Sequence, residues 1–317
     1  MPDQAGSQMN GSTPPVVVAH VPVSATPYGE PVRPHVRLVI VDALRRAGHD
    51  VADLAIRSRA DLDGLAAAHP GCVVFNLCYG LRGSKGRKGL DQPGIAAAMV
   101  ERGLAVVGSD AETQRRCQDK VTAAELVAAI GVESPRQFNL DEAVIYDRPL
   151  VVKPRAGAAH RDVRLITDPA ELVDAPPAEG AFIQEYLDGP EYTVGVIGDG
   201  RGGLMTLPVM RIRNKREGTN PAVYNWSTTT WAPDASGRFG LASTSIELFE
   251  CLGLQDYARF DFRVVAGRGP VLLDANALPN LAPRQLLATS ARWAGLQYPE
   301  LINRIMDSAR DRLTIGA

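Results

Sequence analysis

The segment that decides the fold spans residues 257–280 and reads YARFDFRVVAGRGPVLLDANALPN. Charged and apolar residues alternate in its first half, and a second apolar run follows the turn-forming residues AGRG, so the segment is predicted to form a β-hairpin. If the hairpin folds symmetrically about residues 266–269, Asp261 lies directly opposite Asp274. Asn276 follows two residues later and therefore points to the same side of the sheet. The pattern predicts that two carboxylates and one amide converge.

Two facing carboxylates repel each other, and two interpretations of the hairpin follow. In the first, the carboxylates and Asn276 bind a divalent cation. Magnesium fits this donor set best, because it accepts one or two carboxylates together with phosphate oxygens, whereas zinc favours His or Cys. In the second, Arg259 and Arg263 neutralise the carboxylates in a solvated ladder of ion pairs. The spacing alone supports the two interpretations equally.

Length and composition restrict the class of protein. The chain has 317 residues, 45% of them hydrophobic, which suffices for two or three small domains. A formal net charge of -2 gives no general attraction to nucleic acid or anionic membranes, and the longest uncharged apolar runs are too short to cross a bilayer. Residues 1–15 are polar and resemble a disordered tail, not a signal peptide. Four scattered cysteines indicate reduced thiols and a cytoplasmic location.

The first hundred residues contain apolar runs that alternate with helical patterns. The runs are 16–23, 51–56, 72–77 and 104–107. Such an alternation predicts a βαβ-type amino-terminal domain. The run at 16–23 is not followed by G-x-G-x-x-G, and the chain contains no Gly-Lys dipeptide for a P-loop. Both common nucleotide-binding motifs are therefore excluded.

The hairpin segment resembles the carboxy-terminal metal signature of the ATP-grasp ligases, and most of all that of the D-alanine–D-alanine ligases. Those proteins carry R-x-D on one strand and L-E-x-N-x-x-P-G on the next. The matching residues here are Arg259, Asp261, Leu273, Asp274, Asn276 and Pro279. Asp274 stands where the family has Glu, and Asn280 where it has Gly. The resemblance implies an ATP-grasp fold of three α/β domains, with ATP between the central and carboxy-terminal sheets.

Further blocks match the same family in the same order. A short Gly-Ser turn and a predicted helix lead to a D-K pair, in which the lysine is Lys120. Lys153 stands at the end of the apolar strand LVVK, and Glu191 begins the strand EYTVGVI. By the resemblance, Lys120 and Lys153 contact the phosphates of ATP and Glu191 accepts the ribose hydroxyls. Gln184 and Glu185 lie along the adenine pocket. Taken alone, each of these residues is also explained by ordinary surface charge or by a solvated loop.

The resemblance also divides the chain and marks its departures from the family. The expected units are a tail (1–15), an amino-terminal domain (16–115), a central domain (116–205) and a carboxy-terminal domain (206–317). The loop at 210–232 corresponds to an active-site flap, but Lys215 is off register, so its part in catalysis stays open. The family motif GG-x-S-x-E-x-x-V-S is absent, and Tyr79 stands where His is common.

The implied activity is that of an ATP-dependent carboxylate–amine ligase. The γ-phosphoryl group passes to a substrate carboxylate, an amine attacks the acylphosphate, and ADP and phosphate are released. Asp261, Asp274 and Asn276 would hold magnesium, or manganese in its place, and Arg259 would stabilise the developing negative charge. The missing motif favours amino-acid-type substrates other than D-alanine in specialised metabolism, with cyclisation as one form of the reaction. Relatives are commonly dimers, so a homodimer is expected.

Two other classes of function stay open. The first is an ATP-binding scaffold or regulator without turnover, which is indicated by Asp274 in place of Glu and by the alanines in the loop after Lys153. The second is a small-molecule kinase, which would leave a stable phosphorylated product. Magnesium-dependent ADP release with a panel of amino acids separates these classes from a ligase.

Overall fold

The structure is a computed structural model. It describes residues 14–26, 34–83, 88–155, 163–199, 201–214, 229–237 and 239–315. The predicted tail lies outside these residues except for Pro14 and Pro15, and so do Lys215 and most of the flap. In the described part of the chain, none of the helices has both the length and the apolar character needed to cross a bilayer. All four cysteines are free, as predicted.

The first sheet is parallel. Its strands and connecting helices are β1 (Val16–His20), α1 (Pro34–Arg46), β2 (Val51–Ala55), α2 (Arg59–Ala68), β3 (Val73–Leu77), α3 (Gln92–Val100) and β4 (Ala105–Val106). The strand order is β2-β1-β3-β4. Val16 packs in one cluster with Ile40 of α1, and Val17 packs in another with Leu62 of α2 and Ile95 of α3. Because helices cover both faces, the strands are continuous apolar runs, as the sequence predicted.

The second sheet is antiparallel and follows two short helices. These elements are α4 (Ala111–Gln118), α5 (Lys120–Ala128), β5 (Gln137–Phe138), α6 (Leu140–Ala143), β6 (Leu150–Pro154), β7 (Arg164–Ile166), α7 (Ala170–Asp174) and β8 (Ala181–Glu185). The strand order is β5-β8-β6-β7. One face is covered by α6 and α7, where Phe138, Leu150 and Leu172 form a core of their own. The other face borders the cleft described below, which Lys153 and Gln184 line.

The third sheet contains the hairpin. Its elements and flanking helices are β9 (Glu191–Gly198), β10 (Leu204–Thr206), β11 (Met210–Asn214), β12 (Thr229–Pro233), α8 (Leu241–Cys251), β13 (Tyr257–Val265), β14 (Gly269–Asn276), α9 (Leu286–Trp293) and α10 (Tyr298–Ile315). The order is β12-β11-β9-β13-β14, with β10 paired to β9. Phe260 and Phe262 pack with Leu248 of α8. Both β9 and β10 belong to this sheet, so the predicted domain boundary at 205/206 falls inside β10.

The first and third sheets are joined through Asp256. This residue is buried, has φ 62° and directly precedes β13. Its carboxylate accepts a hydrogen bond from the Gly108 amide (2.6 Å) and two from Arg312 of α10 (3.1 and 2.8 Å). Arg312 also donates to the carbonyl oxygen of Val106. The end of the parallel sheet, the last helix and the start of the hairpin are therefore held at one point.

Candidate active site

The hairpin brings together the acidic residues that the sequence predicted. In the register of β13 and β14, Asp261 is paired with Asp274, and Arg259 is paired with Asn276. Directly opposed residues of an antiparallel pair point to the same face. The predicted convergence of two carboxylates and one amide is confirmed.

The turn differs from the prediction. Residues 266–268 form a three-residue turn, and Gly269 already belongs to β14, so Val265 pairs with Gly269. With that register alone, Asp261 would face Leu273. A β-bulge between Asp261 and Phe262 leaves Leu273 without a partner and shifts the register by one residue. The predicted pair is therefore correct although the symmetric turn was wrong.

Protein cations compensate the two carboxylates. The Arg259 guanidinium donates two hydrogen bonds to Asp261, at 3.0 and 2.8 Å, and the Thr193 hydroxyl donates a third at 2.6 Å. The Lys120 ammonium lies 3.4 Å from a carboxylate oxygen of Asp274. Arg263 instead pairs with Glu191. The ion-pair ladder of Arg259 and Arg263 is therefore present only in its first half.

Lys120 is positioned by its neighbour Asp119. The Asp119 carboxylate caps α5 by accepting from the amides of Val121 and Thr122, and it also accepts two hydrogen bonds from the Arg155 side chain (2.8 and 2.9 Å). Burial acts to raise the pKa of the Asp119 carboxyl, but the hydrogen bonds from Arg155 and the helix amides hold it below its usual value. The Lys120 amide donates to the carbonyl oxygen of Arg155. The start of α5 is thereby tied to the end of β6.

Lys153 is the second-last residue of β6 and lies close to Lys120. Its ammonium is 5.4 Å from the centre of the Phe182 ring on β8. Burial lowers the pKa of Lys153 to about 7, and the charge of Lys120 acts in the same direction, while Asp274 and Glu191 oppose the shift. An anionic ligand placed here would favour the charged form of Lys153.

The other predicted residues lie farther along the same two sheets. Gln184 is buried on β8. Glu185 accepts hydrogen bonds from the Arg136 amide (2.7 Å) and from the Arg268 side chain (2.6 Å). Glu191 is buried and forms a 2.5 Å ion pair with Arg263. The two acids predicted to meet the nucleoside are thus each held by an arginine.

A cleft lies between the central sheet and the edge strand β14. Four of the sequence-predicted residues line it: Lys120, Lys153, Gln184 and Asp274. Residues from α4, α5 and the approach to β5 complete its walls, including Cys117, Ala124, Ser134, Pro135 and Gln137. The cleft therefore brings two lysines, an amide and one of the two carboxylates to its walls.

The donor set suits a hard divalent cation. Within the described residues, no three side chains of His, Cys, Asp or Glu come together as a metal site, so a metal would rest on Asp261, Asp274, Asn276 and the oxygens of a bound phosphate. Asn276 already accepts a hydrogen bond from the Leu278 amide (3.0 Å), which fixes its side-chain oxygen. Burial, together with Asp274, raises the pKa of the Cys117 thiol to about 12. Zinc favours several His or Cys ligands, whereas the proposed donors are two carboxylates and an amide.

Sequence reasoning missed two residues of the site, Thr193 and Arg268, and expected a third, Arg263, beside the aspartates. Thr193 was detectable, because it follows Glu191 by two positions on one strand and so shares its face. Arg263 was noted, but its partner Glu191 lies 72 residues away along the chain. Arg268 was seen only as part of a turn, and no local pattern indicates its contacts with Glu133 and Glu185.

Comparison with known proteins agrees with this geometry. The ATP-grasp domain family matches residues 117–280, just over half of the chain. The chain therefore belongs to the ATP-grasp family, and the predicted fold class is confirmed.

Within that family, the chain is similar to D-alanine–D-alanine ligases. It is 24% identical over 294 residues to the enzyme of Clostridium botulinum, with 85% of this chain and 91% of the relative covered. It is 27% identical over 234 residues to D-alanine–D-alanine ligase A of Bacillus cereus, with 68% and 75% covered. The crystal structure of the Bacillus anthracis D-alanine–D-alanine ligase complexed with ATP superposes with a TM-score of 0.74 at 21% identity, covering 96% of this chain and all of that one.

Proposed function

We propose that the protein is an ATP-dependent carboxylate–amine ligase. The observation that carries the proposal is the facing pair of Asp261 and Asp274 beside Lys120 and Lys153, at a cleft between two sheets. Carboxylates that hold a divalent cation, next to lysines that hold phosphates, form the arrangement that phosphoryl transfer from a nucleoside triphosphate requires. The relatives named as ligases, and the related structure complexed with ATP, support the same proposal.

The reaction has two steps. The substrate carboxylate attacks the γ-phosphorus of ATP, the bond to the β,γ-bridging oxygen breaks, and an acylphosphate and ADP form. An amine then attacks the acyl carbon and gives up a proton, and phosphate leaves as the amide forms. A divalent ion, held by Asp261, Asp274 and Asn276, would offset the charge of the β- and γ-phosphates. Magnesium is proposed, with manganese as the alternative.

The cationic side chains have two different roles toward the phosphates of ATP. Lys120 and Lys153 lie at the cleft and bind phosphate oxygens as point charges. Arg259 is held by two hydrogen bonds to Asp261 and offers its guanidinium to the charge that develops on the transferring phosphoryl group. Arg259 is thus oriented before the substrate arrives, which lowers the reorganisation that the transition state requires.

The nucleoside is assigned to the remaining predicted residues. Glu191 accepts the ribose hydroxyls, and the ion pair with Arg263 orients its carboxylate. Gln184 and Glu185 lie along the strand that borders the base. A carboxylate is an acceptor only, so it suits hydroxyl and amino donors.

The substrates are proposed to be amino acids or amino-acid derivatives other than D-alanine. Tyr79 lies two residues after the end of β3 and packs against the cluster that contains Tyr257 and Leu281. The motif expected before α1 is missing from the sequence. These two departures from the family concern the binding of the first substrate. They fit a ligase of specialised metabolism, and cyclisation is one form that its reaction could take. A homodimer and a cytoplasmic location stay predictions.

The decisive experiment measures ADP release with magnesium, ATP and a panel of amino acids, with mass spectrometry of the products. We expect ADP release that depends on an amino acid and an amide product. Asp261→Ala should lower the rate at least about 100-fold, the range observed when a transition-state electrostatic contact is lost. Asp42→Ala removes an exposed carboxylate that pairs with Arg46 on α1 and is the control. Undiminished turnover in Asp261→Ala would refute the proposed metal site.

A non-catalytic ATP-binding protein is the second candidate. It is favoured by one observation: Arg259 and Lys120 already compensate the carboxylates, so the fold does not depend on a bound metal. Tight ATP binding without ADP release under any substrate would support this candidate. A stable phosphorylated product without an amide would instead support a kinase.

A further inference from the structure

Arg268 stands in the turn between β13 and β14 and reaches across to the central part of the chain. Its guanidinium donates to the carboxylate of Glu185 at 2.6 Å and also to the carboxylate of Glu133. A longer contact of 3.4 Å joins it to the carbonyl oxygen of Ser134. One side chain thus contacts three groups that lie 83 to 135 residues away along the chain.

Backbone contacts support the same junction. The Leu272 amide on β14 donates to the carbonyl oxygen of Glu133 (2.8 Å). Glu185 exchanges hydrogen bonds with Arg136, because it accepts from the Arg136 amide with its carboxylate and donates to the Arg136 carbonyl with its own amide. The Glu185 side chain is only 12% exposed and that of Arg268 31% exposed. Ion pairs that are partly buried and share an arginine are stronger than isolated surface pairs.

The position of this junction along the cleft follows from the strand register. On β13, Asp261 lies opposite Thr193 of β9, and Arg263 lies opposite Glu191, one step nearer the turn. Arg268 lies beyond both, in the turn itself. Its partner Ser134 belongs to the wall of the cleft at residues 134–137, and its partner Glu133 directly precedes that wall. The junction is therefore at the end of the cleft away from the paired aspartates.

We propose that Arg268 is a positioning residue that clasps the hairpin turn to Glu133 and Glu185 and so sets the width of the cleft where the nucleoside of ATP binds. The inference rests on the proposed use of ATP but not on turnover. The clasp fixes the orientation of the Glu185 carboxylate and holds the wall at residues 134–137 against β14. Its loss weakens contacts with the base and ribose and leaves the phosphate contacts of Lys120 and Lys153 in place.

Two ligands test the clasp: ATP with magnesium, and inorganic triphosphate with magnesium, which lacks the nucleoside. Dissociation constants are measured by calorimetry for the wild type, Arg268→Ala, Arg268→Lys and Glu133→Gln. We expect Arg268→Ala to weaken ATP binding about tenfold, equivalent to roughly 1.4 kcal/mol, and to leave triphosphate binding within about twofold of wild type. Arg268→Lys should recover part of the loss, because it keeps one charge but not the forked geometry.

The controls separate the clasp from a general structural effect. Arg46→Ala removes an exposed ion pair on α1 and should leave both constants unchanged. Glu133→Gln keeps the size of a half-exposed side chain and should weaken ATP binding about threefold, an effect below 1 kcal/mol. Equal weakening of ATP and triphosphate binding in Arg268→Ala, or no weakening of either, would overturn the proposal. If ATP binds but no ADP is released, the proposed ligase fails while the clasp is still judged by the binding constants.

Discussion

At the scale of single residues, the positive charges of the site are only partly offset by its carboxylates, and an anionic ligand would offset the rest. Lys120 and Lys153 lie together, and Asp274 and Glu191 partly offset the positive charge that acts on Lys153. Arg259 and Thr193 hold the other carboxylate, Asp261, in a fixed orientation. The site is thus prepared for a ligand with several negative charges, and Lys153 is the residue whose ionisation should report its arrival.

We predict that ATP binding takes up a proton at Lys153 when the pH lies above its pKa of about 7. Above that pH, most of the free protein has a neutral Lys153, and phosphate charge favours the ammonium form. At pH 6 the residue is already charged, so uptake should vanish. Calorimetry in buffers of different ionisation enthalpy should therefore detect most of one proton at pH 8. Equal uptake in Lys153→Arg, which stays charged throughout, would contradict the prediction.

The lowered pKa of Lys153 also makes the free energy of unfolding depend on pH. Since the pKa of Lys153 is lower in the folded protein than in the unfolded chain, the unfolded chain binds more protons between about pH 7 and 10.5. The contribution of this residue to the free energy of unfolding therefore rises with pH across that window. Bound ATP should remove the rise, because it restores the charged form.

At the scale of elements, the hairpin depends on neighbours that set its register and its distance from β9. The bulge at Leu273 keeps Asp274 opposite Asp261 after a three-residue turn. The loop before β9 packs against the far end of β13, where the Val264 amide donates to the carbonyl oxygen of Pro190 (3.0 Å). Gly189 makes this approach feasible, since it has φ 143° and a Cβ there would collide with the carbonyl oxygen of Val264.

We predict that Gly189→Ala lowers the free energy of unfolding by more than about 2 kcal/mol, because backbone strain and a backbone collision add together. Gly202→Ala is the matched control, since Gly202 also has a positive φ but has open space around it. The control should lose about 1 kcal/mol, the effect of strain alone. Urea unfolding measures both variants, and equal losses would show that the contact with β13 is unimportant.

At the scale of the whole molecule, the parallel sheet and the hairpin sheet are joined where Asp256 contacts Gly108 and Arg312. The Asp256 side chain is 1% exposed, whereas that of Arg312 is 30% exposed. Since β13 starts at the next residue, Tyr257, this junction fixes the hairpin relative to the rest of the molecule. The site is therefore sensitive to a contact that does not itself touch the cleft.

We predict that Arg312→Met destabilises the protein by about 2–3 kcal/mol. This is less than the roughly 3–5 kcal/mol for breaking a fully buried pair, because water reaches Arg312 and can partly solvate Asp256 after the change. Arg46→Met, which breaks an exposed pair at the surface of α1, should cost less than about 1 kcal/mol. Chemical denaturation compares the two, and similar losses would contradict the role of Asp256 as a junction.

The sequence determined the local structure and the identity of the acidic pair. Alternation along residues 257–265 places Asp261 on the polar face because side chains on a strand repeat every two residues. The spacing of Asp274 and Asn276 then selects the donor set. The continuous apolar runs near the start of the chain likewise indicate buried parallel strands, since such strands have no polar face. These features depend only on neighbours along the chain.

Tertiary structure alone decided which charges meet. Arg263 pairs with Glu191, and Lys120 lies beside Asp274. Arg268 pairs with Glu133, which lies 135 residues earlier in the sequence. Periodicity carries no information on such partners, because a charged side chain on a polar face has many candidate partners of similar energy. The packing of the sheets brings one of them within reach. The cleft exists for the same reason, because its walls come from two different sheets that lie side by side.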